Sequence, residues 1–190
     1  MTDVKRQIEE ILAGDKEAFK AFVEEYQRLV SHIVFRMISN REDREDICQE
    51  VFLKIYQNLN GFRSESKLST WIAKIAYNTC INYLEKRKLP LWDDLSLEEQ
   101  SLESLSESKE RPDEFIEAKE TSFCLQGEIN KMPAHFRTIL TLYHLDGMSY
   151  NQIGEILSLP AGTVKSYLFR ARRLLKGRLL AKYQPEDLCH

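Results

Sequence analysis

"SYNQIGEILSLPAGTVKSYLFRARRLLK", residues 149–176, packs two short apolar rhythms around a Leu-Pro-Ala-Gly turn and then releases a burst of positive charge. Ser149, followed three residues later by Gln152, fits the capping box, in which each side chain satisfies a backbone N–H left unpaired at a helix start. A helix is expected from that point, with Ile153, Ile156 and Leu157 as its apolar stripe. Residues 158–161 turn the chain, and a second helix carries Val164, Leu168, Ala171 and Leu175 on its inner face. The pair reads as a helix-turn-helix, with Leu159 in the corner and small Gly154 and Gly162 allowing close approach. Spacing then sends Ser166, Phe169, Arg170 and Arg173 to the outer face of the second helix, with Lys165 and Arg172 on its flanks. From Ala161 to Tyr183 there are basic residues and no acidic one. A solvated basic face and a nucleic-acid-reading helix both fit that charge. The capped helix and four-residue turn in front of it favour a recognition helix in a major groove, where arginine pairs with guanine and an apolar group meets a thymine methyl.

Upstream, apolar residues keep the helical period: Phe19, Phe22, Val23, Tyr26, Leu29, Val30, Ile33, Val34 and Met37, then Ile47, Val51, Ile55 and Leu59. Seven glycines and five prolines punctuate 190 residues, and no stretch alternates long enough for a half-buried strand. The expected class is all-α, as two small helical domains. Between them runs "LPLWDDLSLEEQSLESLSESKERPD", residues 89–113, which is rich in Ser and acid and poor in large apolar groups, and which reads as a flexible acidic linker. Its Leu91, Trp92, Leu95 and Leu97 retain some capacity to dock. The net charge of -3 places the positive charge locally rather than over the whole surface. Cys48, Cys80, Cys124 and Cys189 lack CxxC spacing, so neither a metal site nor a disulfide framework is suggested. No stretch approaches the roughly 20 apolar residues of a membrane span, and the N-terminus has no signal-peptide core, so a soluble cytoplasmic protein is expected.

Two further segments carry surface chemistry. In residues 40–59, Asn40 is a candidate cap for a helix with acidic first turns. Its inner face is Ile47, Val51 and Ile55, leaving Asp46, Gln49, Glu50, Leu53 and Lys54 outward. An outward Leu53 beside Phe52 makes an apolar patch of the kind that meets a protein partner. In "STWIAKIAYNTCINYLEKRK", residues 69–88, Ser69 is a candidate cap and Ile72, Ile75, Ala76, Thr79 and Tyr83 form the core side. Trp71, Lys74, Asn78 and Asn82 line the other side, ending in Lys86, Arg87 and Lys88. An aromatic ring, two amides and cations on one face suit nucleic acid, although Trp71 near a helix start also fits partial burial. His32, His135, His144 and His190 are dispersed, and no nucleophile sits beside a base, so no catalytic residue, metal or cofactor is expected.

Residues 132–176, "MPAHFRTILTLYHLDGMSYNQIGEILSLPAGTVKSYLFRARRLLK", resemble the promoter -35-binding domain of bacterial extracytoplasmic-function (ECF) sigma factors of the sigma-70 family. In matching order, "GDKEAFKAFVEEY" (14–26), "REDREDICQEVFLKIYQNLNGFR" (41–63) and residues 69–88 resemble that family's segments for core-polymerase binding and -10 recognition. The resemblance implies a region 2 domain over residues 1–88, a linker over 89–113 and a region 4 domain over 114–190. It implies a non-enzymatic promoter-specificity subunit with no small-molecule substrate. Its partners would be core RNA polymerase (the β′ clamp and β flap), promoter DNA and an anti-sigma factor, the last often membrane-bound and able to hold the protein at the membrane. By resemblance, Asp46, Gln49, Glu50, Phe52 and Leu53 bind polymerase. Arg63, Ser64, Lys67, Trp71, Lys74, Asn78 and Asn82 serve the -10 element and its melting, and Lys165, Ser166, Phe169, Arg170, Arg172 and Arg173 the -35 element. Two departures stand out: Gly154 where the family usually has Ala, and Tyr167 where many members have Arg, which bears on one phosphate contact. Two alternatives remain open on the residues alone, a dimeric helix-turn-helix repressor or activator with a helical sensor domain, and an interaction protein whose basic face is incidental.

Overall fold

The computed structural model describes residues 2–87, 125 and 127–182, and every element among them is helical. They include α1 (Thr2–Leu12), α2 (Lys16–Met37), α3 (Arg41–Asn58) with a 3-10 turn (Leu59–Gly61), α4 (Leu68–Lys86), α5 (Ala134–His144), α6 (Tyr150–Leu157) and α7 (Ala161–Lys182), and residues 127–130 are also helical. The linker expected over 89–113, with Lys88, lies outside the described residues.

Local chemistry sets most boundaries. Asp15 accepts from the backbone N–H groups of Glu17 and Ala18 at 2.9 and 3.1 Å and so starts α2. Asn40 accepts from Glu42 N–H at 3.1 Å and starts α3, as its sequence suggests. The capping box at α6 is complete: Gln152 N–H donates to Ser149 Oγ at 3.3 Å, and Ser149 N–H donates to Gln152 Oε1 at 3.0 Å. At α4 the expectation fails. The helix begins at Leu68 with Lys67 as N-cap and no side-chain cap hydrogen bond, so Ser69 already lies within the first turn.

α2, α3 and α4 pack as a three-helix unit with α1 laid against α2 and the 3-10 turn. Phe22, Ile33, Val51, Ile55, Leu59 and Ile72 are fully buried there, each contributing about 1.5–3 kcal/mol relative to exposure. The second unit is α5, α6 and α7 around Ile139, Leu142, Ile153, Ile156 and Leu168. α6 ends on Ser158 in the left-handed region (φ 56°, ψ 43°), and Leu159 N–H returns to the Gly154 carbonyl at 2.9 Å. A β-carbon on Gly154 would sit 2.6 Å from the Leu159 carbonyl oxygen, so the missing side chain is what lets this turn close. Gly162 has open space around it instead, and the close approach expected there does not occur.

The two units are docked on one another, and their buried residues form one continuous core. α5 lies on α2 and α6 lies on α4. α4 has a third apolar flank for this purpose. Thr70, Ala73, Tyr77 and Leu84 share one side by helical spacing and are all buried, in addition to the inner face toward α2 and α3. Polar ties among the described residues cross the seam: Gln152 Nε2 donates to Thr70 Oγ1 at 3.3 Å, Arg36 Nη1 donates to Asn130 Oδ1 at 3.2 Å, and His32 Nδ1 lies 2.9 Å from Asp146 Oδ1. Burial pushes the Asp146 carboxyl above its usual range, while the hydrogen bond and charge of His32 and the charge of Arg28 pull it back.

Candidate nucleic-acid and polymerase interfaces

Three surfaces carry the expected site residues. The first is α7. Val164, Leu168 and Ala171 are buried against α5 and α6, while Lys165, Ser166, Phe169, Arg170 and Arg173 are exposed on the opposite face. Phe169, at 45% exposure, presents part of a large ring to solvent beside four polar groups. Ser166 Oγ donates to the Gly162 carbonyl at 3.1 Å, one turn back, which fixes its rotamer and leaves its lone pairs outward.

Two further α7 residues are engaged within the fold. Arg172 is half-buried, with Nε and Nη2 donating to His144 Nε2 at 3.3 and 3.2 Å and its guanidinium 5.3 Å from the centroid of the Tyr143 ring. Tyr167, the departure from the family habit, turns inward and meets Phe136 edge-on at 6.2 Å, so its ring is a packing group.

The second surface is the free stripe of α4. Lys74, Asn78 and Asn82 recur every four residues and are all exposed. Trp71 is half-buried, its ring tilted on Phe62 at 5.4 Å, which gives it a packing contact. Arg63, Ser64 and Lys67 are exposed in the loop at the N-terminal end of the same helix, with Ser64 at φ 56°. At the other end, Arg87 is tied back: it bridges Asp43 at 3.1 Å and lies over the Tyr83 ring, while Tyr83 Oη donates to Asp43 at 2.5 Å.

The third surface is a groove of about 640 Å³ between α1, α2 and α3. Gln49, Phe52 and Leu53 line it, and Leu53 is 56% exposed. Asp46 and Glu50 are exposed on the same helix but do not line the groove, and Glu50 pairs with Lys54 at 2.7 Å. Ile11, Phe19, Val23, Cys48 and Tyr56 add apolar wall, and Asp15, Lys16, Gln27 and Ser31 add polar groups at its α2 side. In the sequence, Phe19 and Val23 belong to the apolar helical rhythm of α2. They are half-buried, and an excess of apolar positions on α2 over what one core stripe needs was the available signal. Burial pushes the Cys48 thiol up, so it stays a neutral, apolar part of the wall.

No group of three or more His, Cys, Asp or Glu side chains is placed to hold a metal ion among the described residues. No helix among them is long and apolar enough to cross a membrane.

Comparison with known proteins agrees with this layout. Family models match "Sigma-70 region 2" over residues 22–89 and "Sigma-70, region 4" over residues 122–175. The ECF RNA polymerase sigma factor SigW of Bacillus subtilis is 33% identical over 182 residues, covering 93% of this chain and 96% of that protein. The ECF RNA polymerase sigma-E factor of Escherichia coli K12 is 35% identical over 176 residues, covering 90% and 92%. Among solved structures, CnrH in complex with the cytosolic domain of CnrY has a similar fold, with a TM-score of 0.64, 17% identity and coverage of 93% and 97%. The sigma factor RpoE in complex with the anti-sigma factor NepR from Bartonella quintana gives 0.61, 21% identity and coverage of 86% and 99%.

Proposed function

This chain belongs to the ECF sigma factors of the sigma-70 family, and from that premise we propose how its three surfaces divide the work of promoter-specific transcription initiation. The apolar groove of α1–α3 takes a helical element of core RNA polymerase, the β′ clamp. The α4 stripe with residues 63–67 serves the -10 element and its melting, and the outer face of α7 reads the -35 element. Residues 1–88 and 114–190 then form the two working domains, with 89–113 between them, and region 4 also meets the β flap. The protein performs no chemistry itself and acts in the cytoplasm, where an anti-sigma factor competes for the same faces. The observation that carries this reading is one chain presenting an uncovered apolar groove at one end and a capped helix-turn-helix with an acid-free outer face at the other.

The docked seam is incompatible with simultaneous reading of both elements. Promoter positions -35 and -10 lie 25 base pairs apart by definition, about 85 Å at 3.4 Å per step. α4 and α7 both pack on the eight-residue α6, which puts their axes within about 20 Å of each other. Even the 22-residue length of α7, about 33 Å, does not close that gap. Promoter engagement therefore requires the seam to open, and the stretch from 88 to 126, at about 3.3 Å per residue, is long enough to span the distance.

Run-off transcription with core RNA polymerase and a genomic promoter library tests the function. Discrete start sites that depend on this protein are expected, whereas a palindromic footprint from the protein alone would instead favour the dimeric repressor or activator. Within that assay, Arg170→Ala should cost about 1–3 kcal/mol at one base position of the -35 element and leave the other positions unchanged. Asn78→Ala should leave polymerase binding and -35 contact intact but reduce permanganate reactivity of unpaired thymines at the -10 element. An extruded base loses a few kcal/mol of stacking and pairing, which the protein must replace with hydrogen bonds. Undiminished reactivity would reassign Asn78 to a solvated surface.

A further inference from the structure

The contact between α5 and α7 has a geometry that neither packing nor direct base reading requires. His144 closes α5, and its Nε2 receives both the Nε and the Nη2 of Arg172 at 3.3 and 3.2 Å. A guanidinium has no acceptor atom, so the imidazole supplies the lone pair and must be neutral, with its proton on Nδ1. Tyr143 lies beneath the guanidinium, and Tyr150 at the start of α6 stacks on Tyr143 at 5.3 Å and 12°. Arg172 of α7 is thus held by two neighbouring residues of α5, and one of them, Tyr143, is backed by Tyr150 of α6. Its Nη1 makes no hydrogen bond among the described residues and is the edge left for an anion, beside the exposed outer face of α7.

We propose that His144 is a positioning residue for -35 binding: neutral, it holds Arg172 in the orientation that meets a DNA phosphate, and protonated, it releases Arg172 and weakens that contact. This rests on the reading of α7 as the -35 helix and assigns Arg172 a backbone contact within it. Protonation removes the lone pair that Arg172 uses and sets a second cation about 3 Å from the first. The groups facing His144 include Arg172 from α7, Tyr143 from its own helix and, across Tyr143, Tyr150 from α6. Tyr150 is pushed above the usual phenol range by its hydrogen bond to Tyr143 and by burial, so it stays neutral. Of these side chains, imidazole is the type that changes charge between about pH 5 and 8.

The test measures the affinity of reconstituted holoenzyme for a labelled promoter against pH and salt. Wild type should bind about two- to tenfold more tightly at pH 8 than at pH 5.5. Arg172→Ala should be weaker without altered base preference and should flatten the dependence of log affinity on log salt by about one. His144→Ala should approach Arg172→Ala, and His144→Gln, whose amide oxygen restores a neutral acceptor, should bind like wild type at pH 8 and lose the pH dependence relative to it. If Arg172→Ala binds like wild type, the backbone contact itself is wrong. If Arg172→Ala is weak but both His144 variants match wild type at every pH, the contact stands and the positioning role falls. Tighter wild-type binding at low pH, absent in His144→Gln, also overturns it, because His144 would then be a phosphate contact in its own right.

Discussion

Leu53→Asp is expected to abolish association with core RNA polymerase while leaving the helical signal and melting temperature near wild type. Leu53 is 56% exposed on α3, so charging it removes no core contact and leaves Ile47, Val51 and Ile55 in place. In a complex, the same position lies in an apolar groove with Phe52, Tyr56, Phe19 and Val23 around it. A partner filling that groove would trap an unpaired carboxylate in a desolvated contact, which at interface centres costs upward of about 2 kcal/mol, or more than about thirtyfold in affinity. Gln57→Asp, exposed one residue beyond the groove wall, should retain binding. Co-purification of Leu53→Asp with polymerase at wild-type yield would remove the groove from the interface.

Locking the seam should have a comparably large effect on a different step. Thr70→Cys and Gln152→Cys, at positions whose native side chains meet at 3.3 Å, can be tied by a bifunctional thiol reagent with a disulfide in its spacer, in a background whose native cysteines are replaced. The joined protein keeps the polymerase groove uncovered, because the groove is on α1–α3 and the tie is between α4 and α6. It cannot place α4 and α7 about 85 Å apart, so promoter-dependent initiation should be lost and should return on reduction. Wild-type initiation by the oxidised protein would mean that the two elements are read without the seam opening. A weaker relative of this experiment is His32→Ala, which removes one polar tie and leaves the Asp146 carboxylate buried without its partner; it should shift the protein toward open forms, as read by distance labels on α2 and α5.

The helix-turn-helix was legible in detail because its determinants are local. The Ser149–Gln152 box, the tight turn at 158–160 and the 3.6-residue rhythm of Val164, Leu168 and Ala171 act within a few residues of one another. Sequence spacing translates directly into geometry at that range. The outward positions of Lys165, Ser166, Phe169, Arg170 and Arg173 followed from the same arithmetic, as did Lys74, Asn78 and Asn82 on α4 and Asn40 as the cap of α3.

What periodicity left open was what each face meets. It placed Arg172 on a flank, but only the juxtaposition of the end of α5 with the middle of α7 makes His144 its acceptor. Gly154 and Gly162 look equivalent in the sequence, yet one faces a backbone oxygen across the turn and the other faces space. Trp71 had two readings until Phe62 folded back onto its ring. Half of the apolar groove came from α1 and α2, whose outward apolar positions are indistinguishable from core positions until the third helix is in place. The docking of the two units was least legible of all, since Thr70, Ala73 and Tyr77 become a packing surface only when α6 arrives 80 residues later. The sequence by itself determined the helical class, the caps of α3 and α6 and the outward sides of α4 and α7, because those depend on covalent neighbours one or two turns away. Tertiary structure decided which exposed-looking faces are buried, which cations are already engaged and that α4 and α7 both pack on α6. Those outcomes depend on burial and low-dielectric contact between residues that chain spacing does not bring together.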